Sequence, residues 1–272
     1  MPLSDSHARQ IRDRFTRTAE QFGKFSLSTR SAEAAQLLSL ALPHLPAADS
    51  AHALDVACGP GTFTLAFASH VAHITGLDFT PALLAVARSA ASKDSVSNLS
   101  LVCADAVALP HSGASFDVVT CAYALHHLAD PACALAEMFR VLRSGGILAL
   151  VDLIVPEDPQ QAAAANAIER ARDPSHSRTL PASEILSRAS AAGFRILASE
   201  PGSRIRSFDD WMQIAGHALG DTAYVATRRL MLASSPADSA GFHPRLLDSS
   251  SSLELPDIEW VQTSFFLITR RD

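Results

Sequence analysis

No Cys-x-x-Cys pair occurs in this chain, and its four cysteines, Cys58, Cys103, Cys121 and Cys133, lie in or beside apolar segments. That spacing argues against a metal cluster and a disulfide framework, and predicts buried free thiols in a reducing, cytoplasmic setting. An excess of basic residues is also missing: 22 Lys and Arg stand against 28 Asp and Glu, a formal charge of -6. Arg9, Arg12, Arg14 and Arg17 are interleaved with acids, which reads as a solvated helix face and leaves no nucleic-acid footprint. The apolar run around "GGILALVDLIVP" is broken by Asp152 well short of a membrane span, and no charged-then-apolar leader opens the chain. No internal repeat is visible. A soluble protein without metal, nucleic acid or membrane span is therefore expected, its oligomeric state left open.

What remains is a globular composition, 48% hydrophobic and 18% charged, enough for one sizeable core. From Ala53 onward, short apolar runs alternate with helical stretches: "HALDVA", "GTFTLAFASH", "AHITGLDF", "PALLAVARSAAS", "NLSLVCAD", "SFDVVTCAY", "DPACALAEMFRVLRS" and "GILALVDLIV". This is the rhythm of a parallel sheet covered on both faces. A strand from Phe194 and a closing strand "WVQTSFFLITRR" bring the count to seven, and Gly145 and Gly146 read as a helix stop. The chain is expected to be one domain, with a Rossmann-like core over about 31–156, 181–206 and 253–272. Cap elements fall at about 1–30, 157–180 and 207–252. Within the last, two helices are predicted, with a serine loop at Ser249 to Ser252.

The first strand runs into "ALDVACGPGT". In an open α/β sheet the ligand sits outside the carboxyl ends of the strands, and this turn is the usual contact. Gly59 and Gly61 let the backbone fold sharply, and a helix beginning near Thr62 aims its N–H groups at what is bound. A dinucleotide fingerprint wants a third glycine, where this chain has Thr64; a phosphate loop wants Gly-Lys-Ser/Thr, and no lysine follows. Asp55 repels an anion and favours a cationic group. Asp78, ending the second strand, suits a ribose diol, the alternative being an N-cap role that Thr80 fits better. Asp105, ending the third, suits an adenine amino group with Ala106 N–H beside it, the alternative being an Asx-turn. Adenine, ribose and a charged end together fit S-adenosyl-L-methionine.

With these motifs the sequence resembles the class I S-adenosylmethionine-dependent methyltransferases, in particular the small-molecule, type 11-like branch similar to the ubiquinone and menaquinone C-methyltransferases. "LDVACGPG", "GLDFTPALLAVAR", "ADAVALPHSGASFDVVTCAYALHHLADP" and "FRVLRSGGILALVD" carry the resemblance across about Leu54 to Asp152. It implies a seven-stranded, mostly parallel sheet with an antiparallel last strand. It also implies cofactor contacts at Asp55, Gly59, Gly61, Asp78, Phe79, Asp105 and Ala106, with Asp55 facing the methionine ammonium directly or through water and Phe79 against the adenine. The implied activity is methyl transfer to oxygen, nitrogen or carbon of a small, partly apolar molecule. Two rivals keep the cofactor: a non-methylating elimination, cyclisation or pericyclic step, and a regulatory protein that binds without turnover.

A histidine base is economical for such a transfer. "ALHHLADP" offers His126 and His127, with His126 expected toward the pocket and His127 toward backbone. "RDPSHSR" offers His176 as base or substrate ligand and Arg178 for a substrate anion, against surface and salt-bridge roles. Phe15, Phe22 and Phe25 read as a lid or as packing, and Phe208, Trp211 and Met212 as substrate wall or core.

Overall fold

The computed structural model describes residues 5–45, 50–247 and 257–272. Two helices, α1 (Asp5–Thr29) and α2 (Ser31–Ala41), precede the alternating core. There follow β1 (His52–Val56), α3 (Thr62–Ala68), β2 (His73–Asp78), α4 (Pro81–Lys93), β3 (Leu99–Cys103), β4 (Phe116–Ala122), α5 (Pro131–Val141) and β5 (Leu142–Leu153). The chain continues through α6 (Pro159–Arg172), α7 (Ala182–Ala191), β6 (Phe194–Ser207), α8 (Phe208–Ile214), α9 (Thr222–Ser234), β7 (Arg245–Leu246) and β8 (Ile258–Arg271). The serine run expected as a loop lies outside the described residues.

The strands form one sheet in the order β3-β2-β1-β4-β5-β8-β6, with the two-residue β7 paired to β8. β1 to β5 are mutually parallel and β8 is antiparallel to both neighbours. The expected seven strands thus form the path, and β7 adds a short eighth. Strand order reverses between β1 and β4, so the crevice at their carboxyl ends is where a ligand is held. The α5 helix stops earlier than the glycines suggested, because Leu142 already pairs with Phe116 as the first residue of β5.

Strand alternation builds the two faces. Ile147, Ala149 and Val151 of β5 pack with Leu37, Phe63, Phe67 and Phe266, under α2 and α3. Leu148 and Leu150 pack instead with Leu54, Leu135, Met138 and Ile185, under α5 and α7. Burial on both faces is why these strands read as continuous apolar runs. Cys58 and Cys121 are buried as expected, whereas Cys103 is exposed and Cys133 half-buried.

A separate small core joins α6, α8 and α9 to the far end of β8, with Trp211 and Trp260 both buried and their rings 4.7 Å apart. β6 and β8 run as one ribbon from the sheet into this cap, from Phe194 opposite Arg271 to Ser207 opposite Glu259. The α1 helix lies across the crevice and packs on α4 through Ile11, Phe15, Ala19 and Leu83. A Cβ at Gly23 would meet Val86 Cγ1 at 2.7 Å, so the close approach of α1 to α4 depends on that glycine. No helix among the described residues is long and apolar enough to cross a membrane.

Candidate active site

Two chambers meet over the carboxyl ends of the strands. The outer encloses about 850 Å³, open solvent at its mouth included, and its floor is the β1 turn with the ends of β2 and β3. The turn is formed by Ala57 (φ 57°), Gly59 (φ 54°) and Gly61 (φ 89°), with Gly61 N bonded to Cys58 O at 3.0 Å. Ala57 holds a left-handed conformation that side chains rarely adopt, and Tyr123 (φ 53°) does the same just past β4. Strain of this kind gathers at ligand sites, and both residues line the outer chamber.

Asp78 sits at the chamber's centre. Its Oδ2 accepts from Gly59 N at 3.0 Å and its Oδ1 from Thr80 N at 2.8 Å, leaving each oxygen a further lone pair. Burial raises its pKa, opposed by those two backbone bonds. Thr80 does not cap α4 with its side chain as expected; its hydroxyl is buried with no partner and lines the chamber. Phe79, Asp105 and Ala106 line the chamber as the sequence suggested. One oxygen of Asp105 makes the anticipated Asx-turn, accepting from Val107 N at 3.1 Å.

Asp55 is placed differently from expectation. It lies below the turn and outside the chamber lining, its oxygens accepting from Thr64 Oγ1 at 2.5 Å and Thr120 Oγ1 at 2.7 Å. Thr64, read as a missing glycine, is thus the partner that holds the acid. Gly61 also stands back from the lining, as the N-cap of α3.

Burial pushes Asp55 up to about 6, from an ordinary 3.8, against the two threonine bonds. A raised folded-state pKa means that the folded form prefers the protonated acid, so stability present at low pH is lost as pH rises through about 6. Asp55→Asn removes that loss. Its Tm relative to wild type is expected to move upward between pH 5 and pH 8, by the equivalent of about 1.4 kcal/mol. Thermal melts of both proteins at the two pH values check this; parallel pH curves would refute it.

The inner chamber, about 510 Å³ by the same measure, lies between α1, the cap and the end of β5. It shares Phe15, Phe22, Arg30, Tyr123 and His127 with the outer chamber. His126 belongs to the inner chamber alone. Its Nδ1 lies 2.5 Å from Asp152 Oδ1, and its backbone N–H donates to Asp152 Oδ2 at 3.2 Å. Asp152 also accepts from Leu153 N at 2.7 Å, so the carboxylate is fixed and the imidazole with it. With Nδ1 donating, Nε2 is the basic nitrogen.

The shared wall falls to His127, which also bonds backbone as expected, while His126 faces the inner chamber. The reason is the 3-10 turn Leu125–His127, tied by Ser177 N and Arg178 N to His126 O. Burial, then His126, pushes His127 well below the usual imidazole range, so the neutral ring donates Nδ1–H to Ser175 O at 3.1 Å. His176 lies in the inner chamber, its ring 5.2 Å from that of His126 and its Nε2 2.9 Å from Thr179 Oγ1. Burial, with His126 and His127, pushes it far down as well. Arg178 is a correction: it points to the surface and makes a bidentate pair with Glu184, at 2.9 and 2.7 Å, outside both chambers.

Arg30 was not singled out from the sequence. Its guanidinium carbon lies 3.6 Å from the Tyr123 ring centroid, its buried Nε has no partner, and it faces both chambers. Burial pushes it down to about 10. Phe15 and Phe22, read as lid or packing, both line the chambers and also pack in the α1–α4 core; Phe15 meets Phe22 at 5.3 Å and His127 at 5.2 Å, both edge to face. Ser26 and Thr62 join α1 to α3 through hydroxyls 2.7 Å apart.

Residues 54–150 match a family model described as a methyltransferase domain. The uncharacterised methyltransferase YcgJ of Bacillus subtilis is 36% identical over 163 residues, 60% of this chain and 64% of its own length. A demethylmenaquinone methyltransferase of Listeria monocytogenes is 37% identical over 109 residues, 39% of this chain and 46% of its own. The matched segments thus span less than two thirds of these relatives. The crystal structure of YcgJ superposes with a TM-score of 0.77 at 28% identity, covering 87% of this chain and 98% of that one. A solved structure from Bacillus halodurans superposes at 0.78 with 27% identity, covering 88% and 99%.

Proposed function

We propose, since residues 54–150 belong to the methyltransferase domain family, that the whole chain moves a methyl group from S-adenosylmethionine to an oxygen, nitrogen or carbon of a small, partly apolar molecule. The observation that carries this reading is the pair of chambers with one shared wall, because donor and acceptor must meet in line across a passage closed to water.

The outer chamber fits the donor. Asp78 has lone pairs for a ribose diol, Thr80 Oγ1 is a buried hydroxyl in need of a partner, and Asp105 with Ala106 matches an adenine edge. Phe79 supplies an apolar flank. Among the described residues, Arg30 is the one Lys or Arg lining this chamber, and it would hold the methionine carboxylate. Asp55 acts through the loop that Thr64 and Thr120 tie it beneath, not by contact. When bound, the sulfonium supplies an electrophilic methyl group and needs no metal.

In the inner chamber, His126 Nε2 takes the proton that the acceptor loses, and Asp152 stabilises the imidazolium that results. His127 and His176, both held neutral, wall the site without competing for that proton. A cytoplasmic location belongs to the same reading, supported by the free thiols.

Calorimetry on the full chain tests the cofactor. S-adenosylmethionine and S-adenosylhomocysteine are expected to bind with Kd in the micromolar range, and NAD not at all. Equal binding of NAD would overturn the reading, as would an acceptor that is converted without stoichiometric S-adenosylhomocysteine.

A further inference from the structure

Four guanidiniums line the inner chamber, those of Arg14, Arg30, Arg172 and Arg206, against the carboxyl groups of Glu169 and Asp173. Two of the four are paired with those carboxylates, and a third is assigned to the donor. Arg14 Nε lies 2.9 Å from Asp173 Oδ2, and Arg172 Nη1 lies 3.6 Å from Glu169 Oε2. Arg30, at the shared wall, answers the donor's carboxylate. The neighbouring Arg204 is also paired, with Glu33 Oε1 at 2.8 Å.

Arg206 is left over. It is 8% exposed, and its one hydrogen bond among the described residues is a long one, Nη1 to Gln262 Oε1 at 3.5 Å. That oxygen already accepts from Arg204 at 3.1 and 2.9 Å. Asp210 lines the surface groove on the other side of Arg206, not the chamber. Burial, then Arg204, Arg172 and Arg30, pushes the Arg206 guanidinium down to about 9. A buried cation with no carboxylate paired directly to it, only the longer-range influence of Glu169 and Asp210, is unfavourable in the free protein and well suited to an anionic ligand. Phe15, Phe22, Phe25, Tyr123 and Trp211 line the chamber beside the three histidines, and Arg206 itself lies 4.9 Å from the Phe25 ring centroid.

We propose that Arg206 binds the carboxylate of the methyl acceptor, and that the acceptor is a flat aromatic monocarboxylate. The proposal rests on the methyl-transfer reading above. One unpaired guanidinium matches one negative charge, where a phosphate dianion would need two. The phenylalanine rings that line the chamber suit a flat ring stacked against them. With its carboxylate on Arg206, the acceptor lies between that residue and the His126–Asp152 pair.

The test uses three acids, benzoate, 4-hydroxybenzoate and indole-3-acetate, against their primary amides. Each is titrated by calorimetry into the full chain with and without S-adenosylhomocysteine. At least one acid is expected to bind tenfold or more tightly than its amide. Arg206→Gln is expected to abolish that preference and Arg206→Lys to keep part of it, both with unchanged S-adenosylhomocysteine affinity. Because the charge is unpaired, the Tm of Arg206→Gln is expected to rise by about 2–4 °C, which also reports that the variant is folded. Acids and amides binding alike, a preference that survives Arg206→Gln, or a fall in its Tm would each overturn the proposal. Acid preference without S-adenosylhomocysteine binding would support Arg206 as the anion site and refute the methyl-transfer reading instead.

Discussion

Asp78→Ala is expected to weaken S-adenosylmethionine binding at least about 100-fold, because two effects fall on one side chain. The ribose loses a charged acceptor for two hydrogen bonds, each about 1.5–3 kcal/mol. The turn also loses its tie, since the same carboxylate fixes Gly59 N and Thr80 N. Asp78→Asn separates the two. It keeps one acceptor and the shape, so binding should fall by about tenfold only. Titration calorimetry reads both variants. Burial already raises the Asp78 pKa, so its removal should leave the fold standing, and near-native melting of Asp78→Ala would assign the loss to the site. Unimpaired binding would mean that the ribose lies elsewhere.

The second large effect concerns Asp152. Asp152→Ala removes both the acceptor that holds the His126 Nδ1 proton and the charge that stabilises the imidazolium, so that Nε2 is no longer fixed as the accepting nitrogen. kcat is expected to fall by about 10²–10⁴, with S-adenosylhomocysteine affinity unchanged, because neither residue lines the outer chamber. His126→Ala should cost about as much, and the double variant no more than either alone, since the two act as a unit. Initial rates of S-adenosylhomocysteine release with an acceptor bound by the inner chamber measure this. Independent, additive losses would show that the two residues are not a catalytic pair. His176→Ala, which changes a neutral neighbour bonded to Thr179, should spare cofactor affinity and slow turnover less.

The outer chamber was largely legible in the sequence because its groups sit on consecutive strand ends. Asp78, Phe79, Asp105 and Ala106 each follow an apolar run directly, and a parallel sheet carries such residues to one edge. Asp55 was legible as important but not as buried: its partners Thr64 and Thr120 come from a helix and a neighbouring strand. The inner chamber was mostly hidden. Arg30 and Arg206 come from the end of α1 and the far end of β6, 176 positions apart, and local pattern cannot bring them together. Asp152 did leave a signal, as an acid interrupting an otherwise apolar strand; a charge so buried needs a partner, and His126 is the group that answers it. Arg178 and Glu184, six positions apart, were a local pairing that the sequence already contained.

The β6–β8 ribbon has a mechanical consequence. It stays paired from the sheet to the cap, with one register shift between Ile196 and Ala198, and it carries both Arg206 and Gln262. The cap therefore cannot swing as a separate body without tearing that ladder, and the wall it offers the acceptor is a fixed jaw. The opposite wall is α1, held by side chains: Phe15 on His127, Arg14 on Asp173, Gln21 on Gln213 and Ser26 on Thr62. The two walls of the acceptor site are thus joined to the sheet in unlike ways, one by a backbone ladder and the other by side-chain contacts alone.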